Sequence, residues 1–182
     1  MTKQVCMLLA DGFEELEAVG TFDILKRAGV EVDTLALIGN QARGKHNLVW
    51  TELIPLEKLA NGEMYYDALI LPGGPHYATL EKIPLVQQKI KQFLDNGKVV
   101  AAICASPTIL GRMGLLKGKN YTCFTAMNED FGGNFTNQYA TIDGNIVTGQ
   151  SAAAAVDFGF AIVEKLCGPE KVNEVKKSIY YK

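Results

Sequence analysis

Histidine is scarce in this chain: His46 and His76 are the whole supply among 182 residues. The four cysteines, Cys6, Cys104, Cys123 and Cys167, form no Cys-x-x-Cys pair. These two shortages speak against a structural zinc site, which draws four closely spaced Cys and His ligands. An excess of charge of one sign is missing too. The formal net charge is -2, so nothing marks a footprint for nucleic acid or an anionic membrane surface. No apolar run approaches the length of a membrane span, and Asp157 interrupts the Ala-rich stretch near the end. No basic segment followed by a long apolar core opens the chain, so no secretory leader is expected. A reducing, cytoplasmic compartment with free thiols is the expectation that follows. Repeats, low-complexity tracts and linkers are absent, and residues 1–182 are expected to form one domain.

What is present is an alternation of short apolar runs with helix-periodic segments. Runs at 4–10, 30–38, 67–71 and 99–103 read as strands of a parallel sheet. Segments 14–28, 85–96, 151–167 and 170–178 read as helices, stopped in turn by Gly29, Gly97 and Gly168. Asp11 followed by Glu14 resembles a capping box. Residues 47–53, with the lone Trp50, suggest a short strand or hairpin arm, and 55–60 a helical turn. A short strand is expected at 121–124 and irregular chain at 132–136. Segments 139–142 and 145–148 flank Asp143-Gly144, a hairpin signal. The sum is a doubly wound α/β fold, a mostly parallel sheet with helices on both faces. Helix 14–28 is apolar on more than one side, with Leu16, Gly20 and Ile24 on one and Val19, Phe22 and Leu25 on another. One side suits the sheet; the other suits a second subunit, or else deeper burial within one chain.

The chain is organised around residues 98–110, where the apolar strand 99–103 ends in Cys104 and a helix opens through Ala105, Ser106, Pro107 and Thr108. A thiol at a helix N-terminus favours its thiolate, with pKa falling from about 8.5 to roughly 3.5–7.5. A tight turn there can also strain the cysteine backbone. The alternative is a small, inert, buried thiol. In a doubly wound fold, sites form outside the carboxyl ends of the strands. Two further loops compete there, Asp11 to Glu17 and Gly73-Gly74. Glu17 lies on a stripe with Glu14, Thr21, Ile24 and Ala28 that grows more apolar with each turn, so it is the acid most exposed to a pKa rise by burial. Protonated, it can donate a hydrogen bond to the Cys104 thiolate. Glu14 and Glu15 also fit as simple favourable charge in a first helical turn. The glycine pair can turn backbone N–H groups toward an oxyanion. His76 is a candidate base beside it, although a lone loop histidine more often faces solvent.

Taken together, Asp-Gly-Phe-Glu-Glu-Leu-Glu-Ala-Val at 11–19, Leu-Pro-Gly-Gly at 71–74, Ala-Ala-Ile-Cys-Ala-Ser-Pro-Thr at 101–108 and Phe-Ala-Ile-Val-Glu-Lys-Leu at 160–166 are recognisable. In order and spacing they resemble the ThiJ/PfpI (DJ-one/PfpI) superfamily over nearly the full length, in the branch of the Parkinsonism-associated deglycase and bacterial YajL. The resemblance implies a flavodoxin-like three-layer sandwich and a homodimer through helix 14–28. It implies that Cys104 is the nucleophile-elbow cysteine, easily oxidised to sulfinic acid. Glu17 matches the protonated glutamate bonded to it, and Gly74 and Ala105 match the N–H groups of an oxyanion pocket. Gly73, His76 and Phe124 are expected to line that pocket; no cofactor or metal is called for. Members of this branch are described as glyoxalases acting without glutathione, deglycases, oxidative-stress sensors or chaperones. The expected substrate is thus a small reactive carbonyl, or a glycated protein or nucleotide. Two departures matter. The protease branch has His directly after the cysteine, where this chain has Ala105. The deglycase carries a histidine where this chain has Phe124. No histidine follows His76 to serve an amidotransferase. A redox-sensing or chaperone role for Cys104 is the alternative.

Overall fold

The computed structural model describes residues 2–60 and 65–182. From the amino terminus run β1 (Gln4–Leu9), α1 (Glu15–Arg27) and β2 (Glu31–Ala36), then the short strands β3 (Ala42–Arg43), β4 (Val49–Trp50) and β5 (Ile54–Pro55) and the turn α2 (Glu57–Ala60). Next come β6 (Ala68–Leu71), α3 (Tyr77–Leu80), α4 (Pro84–Asp95), β7 (Val99–Ile103) and α5 (Pro107–Arg112). The carboxyl-terminal third holds β8 (Asn120–Tyr121), a 3-10 turn (Thr125–Met127), β9 (Asn134–Phe135), β10 (Ala140–Asp143), β11 (Ile146–Gly149), α6 (Ala155–Cys167) and α7 (Pro169–Ser178).

Seven strands make one sheet in the order β10-β11-β7-β6-β1-β2-β5, parallel except for the antiparallel β10–β11 hairpin. The period-2 alternation of a strand sends its side chains to two cores. Val5, Met7 and Leu9 of β1, Ala68 and Ile70 of β6, and Val99, Ala101 and Ile103 of β7 pack under α1, α6 and α7. Cys6, Leu8, Leu69, Leu71, Val100 and Ala102 point to the other face, against α3, α4 and α5. Because both faces are buried, the strands read as continuous apolar runs rather than alternating ones. The result is the flavodoxin-like sandwich.

Several local expectations are corrected. The N-cap of α1 is Glu14, without a side-chain cap bond. Asp11 instead accepts the Arg43 N–H at 2.8 Å, so the capping box is not formed. The helix after Cys104 starts at Pro107 and has six residues. Strand 121–124 shrinks to β8, and β9 sits inside the stretch 132–136 read as irregular. Two-residue strands and the single turn of α3 are too short for periodicity to show.

Candidate active site

β6 lies between β1 and β7 in the sheet. The loops leaving their carboxyl ends therefore meet, and they carry Glu17, the Gly73-Gly74 pair and Cys104. The helices that follow β1 and β6 go to opposite faces of the sheet, so a crevice opens between the strand ends, as at other topological switch points.

Cys104 is the residue that leaves β7. Its N–H donates to Gly149 O at 2.9 Å, and its carbonyl accepts the Phe124 N–H at 2.8 Å. With its backbone held from both sides, it adopts φ +64°, a left-handed conformation that costs a non-glycine residue about 1–3 kcal/mol. The residue is half-buried. Glu17, by contrast, is fully buried on α1. Its Oε2 accepts the Gly73 N–H at 2.8 Å, while Oε1 has no hydrogen-bond partner among the described residues. Gly73 is wedged between the two groups. A Cβ there would lie 2.5 Å from Glu17 Oε2 and 2.6 Å from Cys104 Cβ, so only glycine permits the approach. Gly74 has φ +97°, and a Cβ on it would meet Glu14 N at 2.5 Å. The Gly74 N–H has no acceptor among the described residues. The Ala105 N–H favours the charged form of the sulfur.

The ionisation of the pair differs from the expectation of a helix-activated thiolate. Burial pushes Glu17 up to about 7, against the pull of the neighbouring Cys104 thiol and of the Gly73 N–H. Burial also pushes the Cys104 thiol up, and the Glu17 carboxylate adds to that rise; the Ala105 N–H opposes it. A six-residue helix that begins three positions later supplies too little dipole to reverse this. The two acids are close enough to titrate as a unit. A thiolate forms here when the shared proton sits on Glu17, because protonation removes the neighbouring charge and supplies a donor to sulfur.

His76 is not a catalytic base. It is 1% exposed. Its Nδ1 accepts the Ala10 N–H at 3.2 Å, so Nε2 carries the proton and donates to Pro72 O at 2.7 Å. Burial pushes its pKa down to about 4. Ser106 Oγ donates to the same Pro72 carbonyl at 2.6 Å. His76 and Ser106 thus pin the β6 loop to the ends of β1 and β7, which places the glycine pair. Neither His76 nor Gly73 faces the pocket; both stand behind its wall.

A cavity of about 400 Å³ opens over Cys104. Of the residues expected there, Gly74, Ala105 and Phe124 line it, along with Glu17. Lys45, Tyr77, Met127 and the segment Ser151 to Ala153 were not legible in sequence. Lys45 arrives because residues 43–46 lie along 12–15: Gly12 N–H donates to Arg43 O at 2.7 Å and Lys45 N–H to Phe13 O at 2.9 Å. Beside the pocket, Glu14, Glu15 and His46 bring potential metal-ligand atoms within 4.8 Å of one another. The Lys45 ammonium already holds Glu14 at 2.6 Å, and the His46 ring lies 3.0 Å from Glu15. Cys6 and Cys123 are buried, and burial pushes Cys123 up to about 11.

A parallel sandwich that presents a strained cysteine beside a buried glutamate at its switch point defines a class of protein. Residues 3–165 match the model of the DJ-1/PfpI family. Protein dj-1beta of Drosophila melanogaster is 32% identical over 184 residues, covering 98% of this chain and 97% of the relative. A relative in Schizosaccharomyces pombe, named glutathione-independent glyoxalase DJ-1, is 29% identical, with 97% of each covered. The crystal structure of Drosophila DJ-1beta superimposes with a TM-score of 0.91 at 30% identity over 100% of both chains. The chain belongs to the DJ-1/PfpI family. No helix among the described residues is long and apolar enough to cross a membrane.

Proposed function

We propose that this protein is a cysteine-dependent enzyme acting on reactive carbonyls, of the glyoxalase or protein-deglycase type. The observation that carries this reading is the wedge at Gly73, which holds the buried Glu17 carboxyl against the strained Cys104 at the floor of an open cavity. Cys104 sulfur attacks the aldehyde carbon of a 2-oxoaldehyde such as methylglyoxal, and the carbonyl π pair moves to oxygen. That oxygen takes the proton held by Glu17, giving a neutral hemithioacetal. The N–H groups of Gly74, which has no acceptor among the described residues, and of Ala105 would hold it as it forms. Glu17, now a carboxylate, would carry the C1 proton to C2 while the C1 hydroxyl proton passes to the C2 oxygen; the resulting thioester then loses its C–S bond to water, which releases the hydroxy acid and returns the thiol. The same first step suits the hemiaminal adducts of glycated proteins or nucleotides. The purified protein should consume methylglyoxal, and Cys104→Ala should fall to the uncatalysed background. Equal rates for the two would sink the reading.

One observation favours redox sensing as a second reading: no histidine lines the cavity among the described residues, and Phe124 occupies the wall. In that case mild peroxide would oxidise Cys104 to sulfinic acid, selectively by mass spectrometry, in a protein without Cys104-dependent turnover.

The quaternary reading is a homodimer through α1. Leu16 and Val19 are exposed there, and Leu48 and Val49 of the adjacent hairpin extend the apolar face. Sedimentation should give twice the 19.8 kDa chain mass, and Val19→Asp should return it to the single-chain value.

A further inference from the structure

Lys45 is the one cation that lines the Cys104 cavity among the described residues, and addition of sulfur to a carbonyl with Glu17 as proton donor makes no use of it. Its ammonium pairs with Glu14 at 2.6 Å. The carboxylate is the inner member of the pair: the Glu14 side chain is 9% exposed, that of Lys45 39%. Both side chains line the cavity, and the ammonium belongs to the more accessible of the two. Glu14 occupies one of three ammonium donors and holds the group above its ordinary pKa, so it stays charged and keeps donors to spare. The segment Ser151 to Ala153 also lines the cavity. It leads into the 13-residue α6, whose amino-terminal end carries partial positive charge. Cys104 and Glu17, with its buried, unpartnered Oε1, line the same cavity. Tyr77, Phe124 and Met127 supply much of the apolar wall.

We propose that Lys45 is a specificity-determining residue and that the preferred carbonyl substrates are small aldehydes carrying a carboxylate, held by the Lys45 ammonium while Cys104 adds to the aldehyde carbon. This rests on the carbonyl reading of Cys104. The bond changes are those of hemithioacetal formation. Sulfur bonds to carbon, the oxygen takes the Glu17 proton, nothing is oxidised, and the carboxylate stays ion-paired without a bond change.

The test is protection of Cys104 from iodoacetamide by two small probes, neutral glyoxal and anionic glyoxylate, in which a carboxylate replaces one aldehyde. In the wild type, glyoxylate should half-protect at a concentration about tenfold lower than glyoxal, the scale of one hydrogen bond to a charged group. Lys45→Arg should keep that ratio. Lys45→Met should bring it to about one or below, and so should Lys45→Met combined with Glu14→Gln, which removes both charges. A wild-type ratio near one, a preference that survives in Lys45→Met, or one restored in the double variant overturns the anchor while the carbonyl reading stands. Protection by neither probe removes the carbonyl reading and this inference with it.

Discussion

Gly73→Ala should disable the site and destabilise the protein at the same time. The added methyl would lie 2.5 Å from Glu17 Oε2, 2.6 Å from Cys104 Cβ and 2.7 Å from Ile103 O. One of these is backbone of the strand that delivers the cysteine, and another is a fully buried carboxyl. Neither is the free end of a flexible chain, so the wedge must open. Overpacking of this kind costs about 3 kcal/mol, readable in denaturant unfolding. The chemical consequence is larger. Displacing Glu17 from Cys104 by about 1 Å is expected to lower Cys104-dependent carbonyl consumption by at least about 100-fold under conditions where the variant is folded. Wild-type turnover in Gly73→Ala would mean that contact between the two groups is not required.

Glu17→Gln separates the proton from the shape. The amide keeps the volume and can still accept the Gly73 N–H, but it cannot move a proton at neutral pH. Loss of a positioned general acid–base lowers rates by about 100- to 10,000-fold. The same variant has a signature in stability. Folding raises Glu17 from 4.5 to about 7, so the native state binds the extra proton and stability falls as pH rises across that window. Folding lowers His76 from 6.5 to about 4, so there the unfolded state binds the extra proton and stability falls as pH drops from 6.5 to 4. Each effect amounts to about 1.4 kcal/mol per pH unit, or about 3 kcal/mol in full. Between pH 4.5 and 6.5 they oppose each other and cancel. The wild type should therefore show little slope from this pair. Glu17→Gln should become more stable as pH rises from 4 to 6.5, the His76 contribution alone. His76→Asn should lose stability as pH rises from 4.5 to 7, the Glu17 contribution alone. Unfolding free energies at half-unit pH intervals read all three.

Much of the site was legible because its chemistry is local. The run Val99 to Ile103 was continuous enough to be a buried strand, and a cysteine at its end had to sit at a turn. Glu17 was legible from the apolar drift of its own helical stripe, since burial on α1 depends on spacing within α1. The glycine pair was visible, but its reason was not: the crowding at Gly73 comes from two residues that are 31 and 56 positions away. Lys45 left no mark for the same reason. It reaches the cavity through backbone bonds between 43–46 and 12–15, which no periodicity encodes. An isolated histidine says nothing of its partners, so the sequence leaves His76 open as a solvent-facing or catalytic group. Both ring nitrogens turn out to tie strand ends together. The sequence pattern places the helix start at Ala105, two residues too early, and so overstates its pull on the Cys104 thiol. Burial and the Glu17 charge outweigh a short helix that opens at Pro107.

The sharing of one proton between Glu17 and Cys104 comes down to a single comparison, the pH dependence of Cys104 alkylation by iodoacetamide in the wild type and in Glu17→Gln. The wild-type rate should rise through a midpoint near 7, where the pair gives up its first proton, and then level off. In Glu17→Gln that step should vanish, leaving one transition at higher pH for a lone, partly buried thiol. Superimposable profiles would show that the sulfur titrates without regard to Glu17 and would contradict the shared proton.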